Sequence, residues 1–418
     1  MLRHRDFLKL WSAETISQFG TQISLLAIPL IAVLAPPIGL GATPFEVGLL
    51  GAVEFSPFIL FSLPAGAWVD RLRRRPILIL GDLGRAISLA SIPVAYVLND
   101  LTIWQLYVVG FVNGTLTVFF DVAYQSYLPS LVARDQIVEG NSRLEVSRSL
   151  AQIGGPGLGG FLIAIVTAPI AVVFDSISFI GSALFVFAIR KAEPTPDRDV
   201  DEHGQRRGSM REEVTEGLRY VLGNRYLRSI AACTAWSNLF SNMAFAIFIL
   251  YLVRLLGLTP PLIGIVFAAS NVGALVGAIV ATPVARRLGL GRAIFAGASF
   301  GALTSLLIPL APAGLAGLPL LVVGGFGAWL GTIVYNVNQV SLRQAITPHQ
   351  MQGRMNATMR FIVWGTIPIG ELLGGYLGST IGVRETIWIG FIGGAFAWLP
   401  LLIGPLLTLR EMPVPAES

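Results

Sequence analysis

The chain has 418 residues, of which 54% are hydrophobic and only 13% are charged. A soluble domain carries about a quarter charged residues, so this composition excludes a soluble protein and indicates an integral membrane protein. The net charge of +5 does not indicate nucleic-acid binding, because the arginines fall in short loops between apolar runs. The single cysteine, Cys233, excludes an internal disulfide bond, and no Cys/His cluster in the sequence is typical of a zinc site.

Twelve apolar runs are long enough to cross a bilayer as helices. They are too long for the strands of a membrane barrel, and they lack the alternating pattern of such strands. We therefore predict an all-α membrane protein with 12 transmembrane helices in two pseudo-symmetric six-helix bundles. The runs lie at about 11–35, 46–68, 76–98, 103–126, 143–167, 169–189, 229–253, 261–284, 292–311, 318–342, 357–380 and 386–409.

The lysines and arginines are concentrated in alternate loops. With the N-terminus inside, the outer side takes only Arg254 and Arg384. By the positive-inside rule, this asymmetry places both termini in the cytoplasm. We expect a multi-pass protein of a bacterial inner membrane.

One long polar segment divides the runs into two sets of six. We predict an N-terminal six-helix bundle over 1–190, a cytoplasmic linker over 191–228 and a C-terminal six-helix bundle over 229–418. Within the linker, apolar residues at helical spacing predict a basic amphipathic helix on the inner membrane surface, and a plain linker helix explains them equally well. These apolar residues are Val214, Leu218, Val221 and Leu222.

The two sets of runs resemble each other at a shift of 215 residues. The segment from Arg134 to Gly160 corresponds to the segment from His349 to Gly375, with an asparagine and several glycines at equivalent positions. Repeated halves around a midplane site are typical of secondary transporters.

Polar side chains follow one helical face in spans 1, 4, 7 and 10. Hydrogen bonding between helices explains one such face, but four of them indicate a solvated pathway. The faces carry Glu14, Gln18 and Gln22; Asn113, Thr117, Asp121 and Gln125; Asn238, Ser241 and Asn242; and Trp329, Thr332, Asn336 and Gln339. We expect the substrate contacts to come from Gln18, Gln22, Asn113, Thr117, Asn238, Asn242, Trp329, Asn336 and the aromatic Trp364.

Acids inside a membrane are costly unless paired or wetted, so each is a functional candidate. Glu371 lies near the middle of span 11, Glu54 within span 2 and Asp175 in the outer third of span 6. Each is a candidate proton carrier, with a structural hydrogen bond as the alternative. Asp82 and Arg85 are three residues apart in span 3, which predicts a neutralising ion pair. Alternatively, Arg85 reaches a carboxylate on span 2 or span 4.

The stretch from Gly66 to Arg75 resembles the span 2–3 loop motif of the major facilitator superfamily, G-x-L-A-D-R-x-G-R-K/R. It departs from that motif at Trp68, Val69 and Arg73. The resemblance to the superfamily covers essentially the whole chain.

Three further phrases resemble narrower groups within that superfamily. Gly155-Pro156-x-x-Gly159-Gly160 is similar to the end of the span 5 motif of drug/proton antiporters, although Ala151 stands at the motif's earlier glycine position. The phrases at 120–129 and 343–348 resemble a bacterial branch that includes the enterobactin exporter, macrolide efflux pumps and Tap-like multidrug pumps.

The resemblance implies that spans 1, 4, 7 and 10 line a central cavity. It also implies a charge cluster, formed by Asp70 and Arg74 of the loop with Asp121 of span 4, that latches the inner sides of the two halves. Arg71 belongs to the same loop motif. Direct proton carriage by Asp121 is the alternative.

The sequence contains no zinc-protease motif H-E-x-x-H and no Walker loop, so we expect neither an enzyme nor an ATPase, and no cofactor. We predict a monomeric, proton-coupled exporter of amphipathic or hydrophobic small molecules that works by alternating access. A proton-linked uptake symporter is the first alternative. A non-transporting membrane receptor or scaffold with the same fold is the second.

Overall fold

The computed structural model describes residues 4–69, 72–132, 136–191, 193 and 210–409. Throughout these residues the regular structure is helical, with no strand. The helices of the first half are α1 (Arg5–Val33), α2 (Pro44–Val69), α3 (Arg74–Val97), α4 (Ile103–Leu131), α5 (Ile137–Val166) and α6 (Ala168–Phe187). Those that follow are α7 (Met210–Gly223), α8 (Arg225–Ala246), α9 (Phe248–Leu250), α10 (Pro260–Leu288), α11 (Leu290–Ser305), α12 (Leu318–Ile346), α13 (His349–Thr380), α14 (Val383–Ala395) and α15 (Leu399–Ile403).

Every predicted apolar run coincides with helical structure, which confirms the all-α membrane fold. Ten helices of the described chain are long and apolar enough to cross a membrane. An eleventh span results if α8 and the segment Phe248–Leu255, which are bent by 42° against each other, count as one. The run at 292–311 falls on α11, whose 16 residues are shorter than a full span.

Residue contacts divide the chain into two compact units, which we call unit 1 (residues 1–207 and 259–268) and unit 2 (residues 208–258 and 269–418). In unit 1, α1 packs on α5 and α6, α2 packs on α4, and α3 packs on α4 and α6. In unit 2, α8 packs on α13 and α14, α11 packs on α12, and α7 packs on α13.

Each unit has an apolar core of fully buried side chains. In unit 1 the core includes Phe7, Leu10, Leu78, Tyr127, Leu131 and Ile189. In unit 2 it includes Val221, Leu227, Ile230, Leu342, Met355 and Leu401. Each core draws its residues from helices far apart in sequence, so burial of apolar area holds each bundle together.

Glycines allow α11 and α12 to approach closely. A Cβ atom added at Gly301 would lie 3.3 Å from the Cα atom of Gly331, and one at Gly297 would lie 2.7 Å from the backbone nitrogen of Tyr335. Residues 297–301 also match the G-x-S-x-G pattern of hydrolase nucleophiles. That pattern requires a sharp strand-to-helix turn, whereas here it lies within a continuous helix and its glycines serve packing.

Helix α7 covers part of the segment that was predicted to be amphipathic. The side chain of Val221 is fully buried in unit 2, and the hydroxyl of Tyr220 donates a hydrogen bond to the carbonyl oxygen of Ile346 (3.1 Å). Leu218 and Leu222 are exposed on the other face. Only part of the predicted apolar face is therefore exposed, because Val221 packs inside unit 2.

Candidate functional site

Glu54 lies close to the middle of α2, where that helix packs on α4. A Cβ atom added at Gly110 of α4 would lie 3.6 Å from the Cβ atom of Glu54, and one at Gly114 would lie 3.1 Å from Cγ of Pro57. No hydrogen bond or ion pair holds the Glu54 carboxyl group among the described residues. The close approach of the two helices therefore encloses an acid that lacks a counter-charge in that part of the chain.

Asp175 of α6 is buried against α1 in a second acidic region of unit 1. The hydroxyl group of Ser178 lies 3.1 Å from Oδ1 of Asp175, and Gly20 of α1 leaves no room for a side chain over this carboxylate. The Asp175 carboxylate also interacts electrostatically with Asp82 and Arg85 of α3.

Asp82 and Arg85 form an ion pair within α3. Oδ1 of Asp82 accepts a hydrogen bond from Nη2 of Arg85 (2.6 Å), and both side chains are buried. The guanidinium group lies 4.2 Å from the ring centroid of Phe120 and 4.2 Å from that of Phe179. Two buried carboxylates, Asp82 and Asp175, thus share one guanidinium group, and this set is neutral when one carboxyl group holds a proton.

Glu371 of α13 is 4% exposed and lies where α13 packs on α8. A Cβ atom added at Gly370 would lie 3.1 Å from Cβ of Asn242. Nδ2 of Asn238 donates to the carbonyl oxygen of Val363 on α13 (3.1 Å). The structure therefore brings Asn238 and Asn242, both predicted to contact substrate, to the helix that carries Glu371.

The sequence predictions placed Glu14 on a polar face but did not identify its partners. Its Oε1 atom accepts a hydrogen bond from Nε2 of Gln18 (2.7 Å), and its carboxylate interacts electrostatically with Asp121 and Arg148. Arg148 lies within the predicted fifth run, where an arginine is a signal for an intramembrane charge pair. The positive-inside prediction assigns Arg148 to the inner side, because only Arg254 and Arg384 are assigned to the outer side.

The remaining predicted contact residues have different surroundings. Nδ2 of Asn113 donates to Ser88 Oγ of α3 (3.1 Å) and to the carbonyl oxygen of Val109 (2.9 Å), so this side chain makes a hydrogen bond between helices. Gln22 packs against Gly155 of α5. All nine predicted contact residues keep at least part of their surface accessible, and Trp329 is the most exposed of them.

Arg74, a member of the predicted latch, pairs with a residue that the sequence did not indicate. Its guanidinium group lies 3.9 Å from Glu193, and the Glu193 carboxylate accepts the backbone N–H groups of Arg74 (2.7 Å) and Arg75 (3.1 Å). Asp70 and Arg71 lie outside the described residues, so the latch stays a prediction.

A further cation, Arg360, lies inside α13 one turn before Trp364, with its guanidinium carbon 4.6 Å from the Trp364 ring centroid. The positive-inside prediction treats Arg360 only as an inner-side charge. Across the described ranges, no group of three or more histidine, cysteine or acidic side chains could hold a metal ion.

Comparison with known proteins assigns the chain to a family. Residues 1–415 match the family described as transmembrane secretion effector (MFS_3). The multidrug efflux pump Tap of Mycolicibacterium fortuitum is 27% identical over 381 residues, covering 88% of this chain and 88% of the pump. Macrolide efflux protein A of Streptococcus pyogenes is 23% identical over 184 residues, covering 44% of each chain.

A crystal structure of a bacterial homologue of the iron transporter ferroportin, in the inward-facing state, has the same fold. Its TM-score is 0.74 at 16% identity, covering 96% of this chain and 98% of that one. These relatives are transporters rather than enzymes, and they confirm the predicted resemblance. The chain is a multi-pass membrane transporter that belongs to the transmembrane secretion effector family of the major facilitator superfamily.

Proposed function

We propose that this chain is a proton-coupled exporter of amphipathic or hydrophobic small molecules, working by alternating access as a monomer in a bacterial inner membrane. The direction of transport is supported by the relatives, which are named as multidrug and macrolide efflux proteins. The positive-inside pattern supports cytoplasmic termini.

The observation that carries the coupling proposal is the environment of Glu54. An ionised carboxylate in a low-dielectric region is costly without a partner, so this group has reason to take up a proton when enclosed and to release it when wetted. The nearby Pro57 leaves the carbonyl group of Val53 without its helical donor, and the Ser56 hydroxyl donates to that carbonyl instead (2.8 Å). The carbonyl group of Val53 thus has a hydrogen-bond donor that is not the carboxyl group of Glu54.

Asp175 and Glu371 are the second and third candidate carriers. Asp82 is hydrogen-bonded to Arg85, whereas Asp175 interacts with this guanidinium group only electrostatically. Asp175 is therefore the acid of this set that we propose as the proton carrier. Glu371 is buried on α13, the helix that Asn238 and Asn242 of α8 contact at Val363 and Gly370. An acid at each of these places is consistent with proton uptake during a transport cycle.

The accessible contact residues favour an amphipathic ligand. They combine aromatic rings with neutral amides and hydroxyl groups, a mixture that suits drug-like molecules better than sugars. Trp329 exposes 44% of its surface, which leaves a large aromatic face available for a substrate.

The test uses purified protein in liposomes that contain a pH-sensitive dye. An imposed proton gradient is followed by addition of macrolides, tetracyclines or the cationic dye ethidium. We expect a compound-triggered proton flux opposite in direction to the compound, reduced at least tenfold in Glu54→Gln. The matched control is Glu145→Gln, an exposed acid of α5, and it should leave the flux unchanged.

Substitutions of Asp175 and Glu371 show which of the three acids couples transport to protons. If Glu54→Gln retains the flux and Asp175→Asn or Glu371→Gln abolishes it, the coupling group is the latter residue. Binding of the compounds without any proton flux in the wild-type protein would contradict proton coupling. A flux in the same direction as the compound would indicate uptake rather than export.

A further inference from the structure

Arg360 is an arginine inside a membrane span, and the described residues give it no carboxylate partner. The candidate span runs from Met351 to Thr380, so Arg360 lies about 8 Å from its midpoint at 1.5 Å per residue. This depth is well inside a hydrocarbon core about 30 Å thick. Among the described residues, its guanidinium group has the Trp364 ring as its partner and no hydrogen bond or ion pair.

Arg85 shows how this chain satisfies an arginine that has only a structural role. That guanidinium group is 6% exposed, bonded to Asp82 and placed between two phenylalanine rings. Arginines within membranes are normally paired in this way, because the isolated charge is costly. Arg360 keeps part of its surface accessible and has none of these hydrogen bonds.

The described acids of this region are distant from Arg360 or already paired, since Glu216 of α7 forms an ion pair with Arg354. Residues 225–409 contain ten arginines but only two acids, Glu371 and Glu385. Glu371 is 11 residues further along α13, about 16 Å along the helix axis, which is far beyond hydrogen-bond distance. Glu385 lies in the first turn of the next helix, α14. Among the described side chains, no acid is therefore in place to neutralise Arg360, and a bound anion can do so.

A second arginine raises the positive potential one turn away. Nη2 of Arg343 on α12 donates to Oδ1 of Asn356 (2.9 Å), and Asn356 lies one turn before Arg360 on α13. Arg343 also donates to the side-chain amide of Gln339 (3.3 Å), so in the described part of the chain its hydrogen-bond partners are neutral. Both cations therefore favour an anion in this part of unit 2.

The geometry of Arg360 suits a planar acidic group. Its guanidinium group carries five N–H donors in one plane and binds carboxylates with two parallel hydrogen bonds. One face of that plane is occupied by the indole of Trp364, which leaves the N–H edge open. Trp364 follows Arg360 by one turn toward the middle of the span.

We propose that Arg360 and Trp364 bind the carboxylate of an acidic amphipathic substrate, with Arg360 holding the acid and Trp364 contacting the adjoining apolar body. This inference rests on the proposed transport function and names the substrate class at one of its contact regions. The chain thereby handles amphipaths that bear an anionic group, and not only neutral or cationic ones.

The test compares two fluorescent probes, N-dansyl-phenylalanine and its methyl ester, by titration of the purified protein in detergent. The probes share their apolar body, and the ester replaces the carboxylate with a neutral group. We expect the acid to bind at least tenfold more tightly than the ester. Arg360→Gln should lose that preference while keeping the affinity for the ester. Arg360→Lys should keep part of the preference, because the charge remains and the planar fork is lost.

The control is Arg292→Gln, an exposed arginine of α11 in the same unit, and it should leave both affinities unchanged. Size-exclusion profiles and thermal unfolding show whether each variant is folded, and Arg360→Lys serves if Arg360→Gln is not. Equal binding of acid and ester by the wild-type protein, or an equal loss of both affinities in Arg360→Gln, would overturn the inference.

The flux assay separates this inference from the proposed function. If ethidium drives proton flux but acid and ester bind equally, the transport function stands and the anion site is overturned. If the acid is preferred through Arg360 but no compound drives proton flux, the anion site stands and proton coupling fails.

Discussion

The two units share a helical repeat but hold their intramembrane charges in opposite ways. The membrane helices of unit 1 carry Glu14, Glu54, Asp82, Asp121 and Asp175, and the guanidinium group of Arg85 is neutralised among them. In the described spans of unit 2, Glu371 is the one deeply placed acid, and Arg360 is stacked on a tryptophan.

The two units share the close packing of helices at equivalent glycines. In unit 1, Gly155 and Gly159 place α5 against Gln22 and Ile23 of α1. In unit 2, the equivalent Gly370 and Gly374 place α13 against α8. The charges have diverged on this common framework, since Glu145 stands in unit 1 where the 215-residue shift places Arg360 in unit 2. The comparison teaches that the glycines maintain the bundle, while charge distinguishes the proposed proton-handling unit from the proposed anion-binding unit.

The largest expected effect comes from removing the acid that neutralises Arg85. Asp82→Asn removes the hydrogen-bonded partner of a buried guanidinium group that cannot lose its proton, and leaves only the longer-range attraction of Asp175. It should lower the free energy of unfolding by about 3–5 kcal/mol. Arg360→Gln should change it by less than about 1 kcal/mol, because no carboxylate partner is lost. Chemical denaturation in detergent measures both.

The double variant Asp82→Asn/Arg85→Met is the control for this comparison, because it removes the charge together with its partner and should recover much of the loss. A destabilisation by Arg360→Gln as large as that of Asp82→Asn would show that both arginines are structural. The proposed difference between the units would then disappear.

Two acids of the predicted linker, Glu193 and Glu216, give a second comparison, with a smaller effect. The side chain of Glu193 is 4% exposed, and it accepts two backbone N–H groups at the start of α3 as well as pairing with Arg74. Glu193→Ala should lower the free energy of unfolding by about 1–3 kcal/mol, since charge-assisted hydrogen bonds at a helix N-terminus are lost. Glu193→Gln should cost less, and a thermal unfolding series ranks the two. No loss in either variant would mean that water replaces the carboxylate fully.

The smallest effect is expected at Glu216, which pairs with Arg354 in unit 2. The two side chains are 53% and 36% exposed, so solvent screens their attraction. The coupling energy from a double-mutant cycle of Glu216→Ala and Arg354→Ala should be below about 1 kcal/mol. A coupling as large as the effect of Glu193→Ala would remove the contrast between a buried and an exposed linker acid.

Much of the fold could be predicted from the sequence, and less of the site. Span positions follow from local apolar length, and Glu54, Asp175 and Glu371 stand out because an acid within an apolar run is costly. Arg148 and Arg360 were grouped with loop charges because a positive-inside count considers loops and not helix interiors. Asn113 was expected to contact substrate, yet its hydrogen bond to Ser88 depends on how α4 packs on α3.

By itself, the sequence determined that this protein crosses the membrane many times with helices, that it contains a repeat, and that it carries acids within its spans. These are local properties, because hydrophobic length and helical periodicity act over one or two turns of one segment. The tertiary structure decided which charges are neutralised: Asp82 and Arg85 between aromatic rings, Glu193 at the start of α3, and Arg360 without an acid. A charge is stabilised or left unpaired by groups that come from distant parts of the chain, and only the packing of the helices brings those groups together.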